Sequence, residues 1–157
     1  MMCGMLRLIG VLLLTLASAP VWAETDGLVT RPSAHGVRDT LDRFAGAVRA
    51  QGWVVFAEID HAAAAHAVAM ELPARTAVLF GNPTAGTPAM AAHPSLALDL
   101  PMRVLVWQDG QGRVFVTRST GADIAQRVFA RHGVTVPATG QQETEALLDR
   151  LVRQAAE

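Results

Sequence analysis

The sequence predicts an α+β domain, a single mostly antiparallel sheet of about five strands with helices packed on one face. Three observations carry this. Val37, Leu41, Phe44, Ala45 and Val48 recur at the spacing of one helix face. Short runs rich in β-branched and aromatic residues occur at 28–33, 53–60, 76–80, 102–108 and 113–118. Asp109-Gly110 stands between the last two of these runs, a strong hairpin signal.

Taken in order, residues 1–23 read as a secretory signal peptide. Arg7 supplies the charged start, Leu8 to Leu16 the apolar stretch, and Val21-Trp22-Ala23 a small-residue cleavage site before Glu24. The apolar run is too short for the ~20 residues that a membrane-spanning helix needs. The expected product is an exported, periplasmic or secreted domain over 24–157 with no membrane anchor. Cleavage would remove Cys3, the single cysteine, and with it thiolate catalysis and disulfides.

Leu28 to Ser33 reads as a first strand, with Ser33 as the cap of the helix that follows and Gly52 as its stop. Trp53 to Asp60 is the second strand, and Asp60 caps an alanine-rich helix, His61 to Met70. Thr76 to Phe80 is continuously apolar and predicts a strand covered on both faces. Gly81 to Pro88 is a loop by composition, and a weakly helical stretch around 89–98 breaks at His93-Pro94. Met102 to Gln108 and Arg113 to Arg118 form the hairpin. Ala122 to His132 is a helix ended by Gly133, and Gln141 to Ala155 another, introduced by a Thr139-x-x-Gln142 capping box.

Composition excludes more chemistry than it supports. All 13 basic residues are Arg, so there is neither a Schiff-base nor a phosphate-loop lysine, and Tyr is absent. With 14 acidic residues and a net charge of −1, there is no basic footprint for nucleic acid.

Several blocks in fixed order carry a resemblance. They are Thr40-Leu41-x-Arg43-Phe44, Ile59-Asp60-His61-Ala62, Leu79-Phe80-Gly81-Asn82-Pro83, Gly86-Thr87-Pro88-x-Met90, Leu98-Asp99-Leu100-Pro101 and Val104-Leu105-Val106-Trp107. Together they resemble the bacterial domain-of-unknown-function family 302 across about residues 28–133, with the C-terminal helix 141–155 beyond the clearest part. The resemblance implies a curved antiparallel sheet carrying helices, similar to the TATA-binding-protein arrangement, and a homodimer. It implies no established activity and leaves any cofactor unknown.

Candidate site residues follow from these blocks. Asp60 and His61 lie at a strand-to-helix junction, where a carboxylate could orient an imidazole. Asn82 and Asp99 flank other strand ends and could complete a binding pocket with them. A metal site formed by Glu58, His61 and Glu71 is the oxygen–nitrogen alternative. His61 and His66 are five apart and do not share a helix face as a zinc pair does. Gly81-x4-Gly86 echoes a phosphate loop, but Thr87-Pro88 replaces its Lys-Ser/Thr pair. Met70, Met90 and Met102 read as gap-fillers rather than copper ligands. His132 reads as helix C-terminal dipole chemistry and His35 as surface. Ser33, Ser95 and Ser119 lack a Gly-x-Ser-x-Gly context, so serine catalysis is not expected.

Three functional readings remain open: a small-ligand-binding or accessory module of the cell envelope; a small acid–base or metal-assisted enzyme using His61 with Glu58 or Asp99; and a structural or dimerisation domain. Either site reading requires His61, Asn82 and Asp99 within about 12 Å around one pocket, since catalytic contacts act over ~3 Å or through one water.

Overall fold

A computed structural model describes residues 23–157. The expected leader thus lies, except for Ala23, outside the described residues. The elements run β1 (Ala23–Thr25), β2 (Leu28–Ser33), α1 (Val37–Ala50), β3 (Val54–Asp60), α2 (His61–His66), β4 (Arg75–Gly81) and α3 (Pro83–Ala92). A 3₁₀ segment, Pro94–Leu98, leads to β5 (Met102–Gln108) and β6 (Val114–Ser119). Then α4 (Gly121–Asp123) continues through a π-helical turn, Ile124–Phe129, into 3₁₀ residues Ala130–His132, and α5 (Ala138–Ala156) closes the chain.

Six antiparallel strands form one sheet in the order β1-β2-β6-β5-β4-β3. This is the expected α+β architecture, with the short β1 added at one edge. The β5–β6 hairpin turns at Asp109 to Gly112, where Asp109 accepts the backbone N–H groups of Gln111 and Arg113 at 2.9 Å each.

Core side chains come from alternate strand positions and from two long helices. Val78 and Phe80 on β4, Val104 and Val106 on β5, and Val116 on β6 meet Phe44 and Val48 of α1 and Leu148, Leu151 and Val152 of α5. Phe44 meets Phe80 edge-to-face with centroids 5.0 Å apart. The opposite face of the sheet carries Ala77, Leu79, Leu105, Trp107 and Phe115, which are only partly buried. Trp107 stacks on Phe115 at 4.8 Å, and its indole N–H donates to Thr117 Oγ1 at 2.9 Å.

Two arginines point into the core side of the sheet and are matched by α5. Arg31 and Arg118 are each 4% exposed. Arg31 donates to Glu157 at 2.8 Å and Asp149 at 3.1 Å, while Arg118 donates to Glu145 at 2.6 Å. A buried cation without such acceptors would cost several kcal/mol, so these bonds lock the register of α5 on β2 and β6. The second Glu145 oxygen accepts from Gly121 N at 2.7 Å. Only glycine fits there, because a Cβ at 121 would fall inside the Gln141 carbonyl oxygen.

Five local expectations are corrected. Ser33 does not cap α1; Gly36 stands at that position, and the Ser33 hydroxyl instead pairs with Thr40 Oγ1 at 2.8 Å. The alanine-rich helix stops at His66 rather than Met70, and Ala69 takes a left-handed φ of 58°. The apolar run on β4 alternates between buried and half-buried positions, so the strand has one core face rather than two. The glycine- and proline-rich 81–88 segment is not a loop: Asn82 caps α3, with Pro83 in the first turn. Proline needs no N–H partner there and has the right φ, so composition misleads. Finally, α5 begins at Ala138 without a side-chain cap, leaving the Thr139 capping box unused.

Candidate functional site

At the β3 edge of the sheet a cavity of about 320 Å³ opens where the end of β4, α3, the π-helical turn and α5 converge. Its wall is mainly apolar and includes the large side chains of Trp53, Phe56, Met90, Met102, Phe129 and Leu147. Trp53 stacks on core Phe80 at 6.4 Å, so one wall is fixed to the rigid interior. Phe56 owes its position to a β-bulge, the register shift between Val55 and Ala57 against β4. A bulge re-aims a side chain that regular alternation would send elsewhere. Phe56 is left 54% exposed. Gly81 forms part of the floor, and a Cβ there would touch Pro101 and Phe56 at 3.7 and 3.8 Å.

Polar groups in the wall are few and mostly engaged. Asn82 Oδ1 accepts from Thr84 N at 3.0 Å as the cap of α3, which turns its amide NH2 to the other side. Thr144 donates to the Gly140 carbonyl at 2.8 Å. Such a lining favours a small apolar molecule oriented by one or two hydrogen bonds.

The four residues expected to share a pocket do not. Asp60 pairs with Thr76 at the far end of the β3–β4 ladder, six residues from Asn82. At ~3.3 Å per residue this separates them by about 20 Å. Asp60 Oδ1 accepts from Ala63 N at 3.0 Å and serves as a helix cap, and His61 is exposed. Asn82 alone of the four lines the cavity.

The metal site expected from Glu58, His61 and Glu71 is likewise not assembled. Glu58 receives two bonds from Arg38, at 2.9 and 3.3 Å, so its carboxylate is already neutralised by a guanidinium. Glu58 and Asp42 in turn hold the Arg38 guanidinium protonated more firmly than usual. Glu71 is exposed in the irregular stretch between α2 and β4. The early end of α2 at His66 and the left-handed turn at Ala69 carry the chain to Glu71 by a path that a continuous helix to Met70 would not take. Among the described residues no three His, Cys, Asp or Glu side chains gather as a metal site, and Glu71 therefore joins neither Glu58 nor His61 in one.

Asp99 lies at the Asn82 end, next to Leu100 of the cavity wall, but its carboxylate turns away to His132. His132 Nε2 is 2.7 Å from Asp99 Oδ2, and His132 Nδ1 is 2.9 Å from Ser95 Oγ. Arg131 adds a contact to Asp99 at 3.2 Å. The hydrogen bond to His132, opposed by burial and aided by Arg131, holds Asp99 below its ordinary carboxylate range. The sequence assigned His132 to helix-dipole chemistry and missed this cluster, because 33 residues separate Asp99 from His132. The nearby Gly133, with φ at 77°, was the one local sign that a helix ends there.

A second, more open depression of about 620 Å³ lies between β2 and the β5–β6 hairpin. It includes His35, whose Nδ1 meets Asp39 at 3.3 Å.

Among the described residues no helix is long and apolar enough to cross a membrane. The chain is nevertheless similar to proteins named fluoride-specific ion channels. It is 42% identical over 101 residues to FluC 1 of Brucella suis biovar 1 (strain 1330), covering 64% of this chain and 40% of that protein. FluC 1 of Brucella abortus biovar 1 (strain 9-941) matches at the same identity over 37% of its length. The chain thus spans well under half of these curated relatives. Among solved structures, an uncharacterised conserved DUF302 protein from Bacillus stearothermophilus superposes with a TM-score of 0.67 at 11% identity, over 83% of this chain and 99% of that one. That likeness supports the fold. The family described as domain of unknown function DUF302 matches residues 29–155, almost all of the sheet and helices described above, and the chain belongs to that family.

Proposed function

We propose that this protein is an exported accessory domain of the cell envelope that binds a small, mainly apolar ligand in the cavity beside α3. The observation that carries this reading is the cavity itself. A bulge holds Phe56 half-exposed over a pocket whose other aromatic wall, Trp53, is anchored on the core. Exposing a large aromatic to water is unfavourable unless something covers it. The partial match to proteins named as ion channels supports an accessory role, since more than half of each such relative lies outside the matched stretch. The partly buried outer face of the sheet, with Leu79, Leu105, Trp107 and Phe115, supports a homodimer.

N-phenyl-1-naphthylamine, a neutral apolar fluorophore, tests the cavity. The wild-type protein should enhance its emission saturably and quench Trp53. Ala89→Phe, which fills the cavity from α3, should weaken binding tenfold or more with the circular dichroism spectrum unchanged. Equal binding by both proteins defeats the reading of this cavity as the ligand site.

A further inference from the structure

The geometry points to a hydrolytic activity beyond ligand binding: Ser95 is a nucleophile activated by His132 and positioned by Asp99, acting on short-chain carboxylic esters. The three residues form a continuous relay, from Ser95 Oγ to His132 Nδ1 at 2.9 Å and from His132 Nε2 to Asp99 Oδ2 at 2.7 Å. A nucleophile in hydrogen-bond contact with a base, itself oriented by a third group, is the arrangement nucleophilic catalysis requires.

Hydrogen-bond chemistry sets the direction of the relay. Asp99 is held ionised by the hydrogen bond to His132 and by neighbouring arginines, against the effect of burial. An ionised carboxylate only accepts, so the neutral imidazole carries its proton on Nε2 and presents a lone pair on Nδ1. The Ser95 hydroxyl must then donate to Nδ1, the posture of a serine about to lose its proton. Exposure is graded in the useful sense: Ser95 is exposed, whereas the side chains of Asp99 and His132 are 21% and 5% exposed. The base is therefore shielded and the nucleophile accessible. No capping or strand duty accounts for the contact, since Ser95 sits in the short 3₁₀ segment and His132 at the end of another element.

In the reaction, Ser95 Oγ forms a bond to the ester carbonyl carbon as Nδ1 takes the hydroxyl proton. The carbon–oxygen bond to the alcohol breaks, and the alcohol leaves with that proton. Water, giving its proton to Nδ1, then cleaves the acyl-serine, which releases the carboxylic acid and restores the hydroxyl. The acyl class rests on the cavity reading. Leu100 and Phe129 of the cavity wall stand one and three residues from Asp99 and His132, so an apolar acyl chain has a surface close to the relay.

The test treats the full chain with a fluorophosphonate and maps the adduct by peptide mass spectrometry, alongside hydrolysis of p-nitrophenyl acetate. The expected result is an adduct on Ser95, absent in Ser95→Ala and formed tenfold or more slowly in His132→Gln and Asp99→Asn, because a positioned base contributes ~10²–10⁴-fold. If His132→Gln does not fold, Asp99→Asn carries the comparison. No adduct on the wild-type chain, an adduct at another residue, or wild-type labelling rates in the folded variants overturn the assignment. Labelling does not depend on the cavity. Loss of naphthylamine binding with Ser95 labelling intact removes only the acyl class, and the converse removes only the relay.

Discussion

Replacing Glu145 by alanine isolates the contact that ties α5 to the sheet. Arg118 has a side chain only 3% exposed, and Glu145, 40% exposed, is its 2.6 Å partner. After the substitution Arg118 keeps the Ser119 carbonyl at 3.1 Å and a distant Asp149 at 4.0 Å. Gly121 N loses its acceptor at 2.7 Å. Breaking a buried ion pair from one side costs ~3–5 kcal/mol, which the exposure of Glu145 and the residual Asp149 contact reduce to the lower end. An unsatisfied backbone N–H adds ~1 kcal/mol. A loss of about 4 kcal/mol follows, readable as a fall of roughly 10–15 °C in melting temperature for a domain of this size. Urea unfolding followed by circular dichroism measures it directly. Glu145→Gln, which retains one acceptor for Arg118, should lose about half as much. If Glu145→Ala unfolds within about 0.5 kcal/mol of wild type, the buried-arginine argument is wrong.

Two further outcomes follow from the same structure. Burial pushes Glu145 and Asp149 upward, but hydrogen bonds and arginine charges outweigh it and hold both below their ordinary values of 4.5 and 3.8. Groups depressed in the folded state stabilise above their unfolded pKa and cease to do so as pH falls through the folded one. Stability should therefore be flat near neutrality and fall below about pH 4, and Glu145→Ala should show a shallower acid loss in urea midpoints measured from pH 7 to 3. Leu105→Glu places a charge on the outer sheet face and should convert the proposed dimer to monomer in sedimentation velocity, with the core intact. A wild-type chain that sediments as monomer at all concentrations rejects that interface.

Periodicity made most of the fold legible. The face formed by Leu41, Phe44 and Val48 is buried as the helical spacing requires, and the Asp109-Gly110 turn joins the two strands it was expected to join. Where composition opposed periodicity, composition misled: α3 contains Gly86 and Pro88, yet its start is decided by the Asn82 cap and by Pro83 in the first turn. Asp60-His61 drew attention as a conspicuous polar block. In the structure Asp60 is a helix cap, a purely local use of the same chemistry. Glu58, His61 and Glu71 form an expected oxygen–nitrogen metal set, but Arg38, 20 residues from Glu58, claims that carboxylate and Glu71 stays exposed.

The amino-acid sequence alone determined what short-range physics can decide: most strand and helix positions, the hairpin, the cap at Asp60, the stop at Gly52, and a chemistry without lysine or tyrosine. Tertiary structure decided everything that depends on residues distant in the chain. It separated His61 from Asn82 by the length of a strand, buried Arg31 and Arg118 against α5, and built a cavity from side chains of five elements. It also brought Ser95, Asp99 and His132 into one hydrogen-bonded line. The reason is geometric. Hydrophobic burial sets each element's inward face, but it is the packing of those faces against one another that places polar side chains 30 or more residues apart within 3 Å.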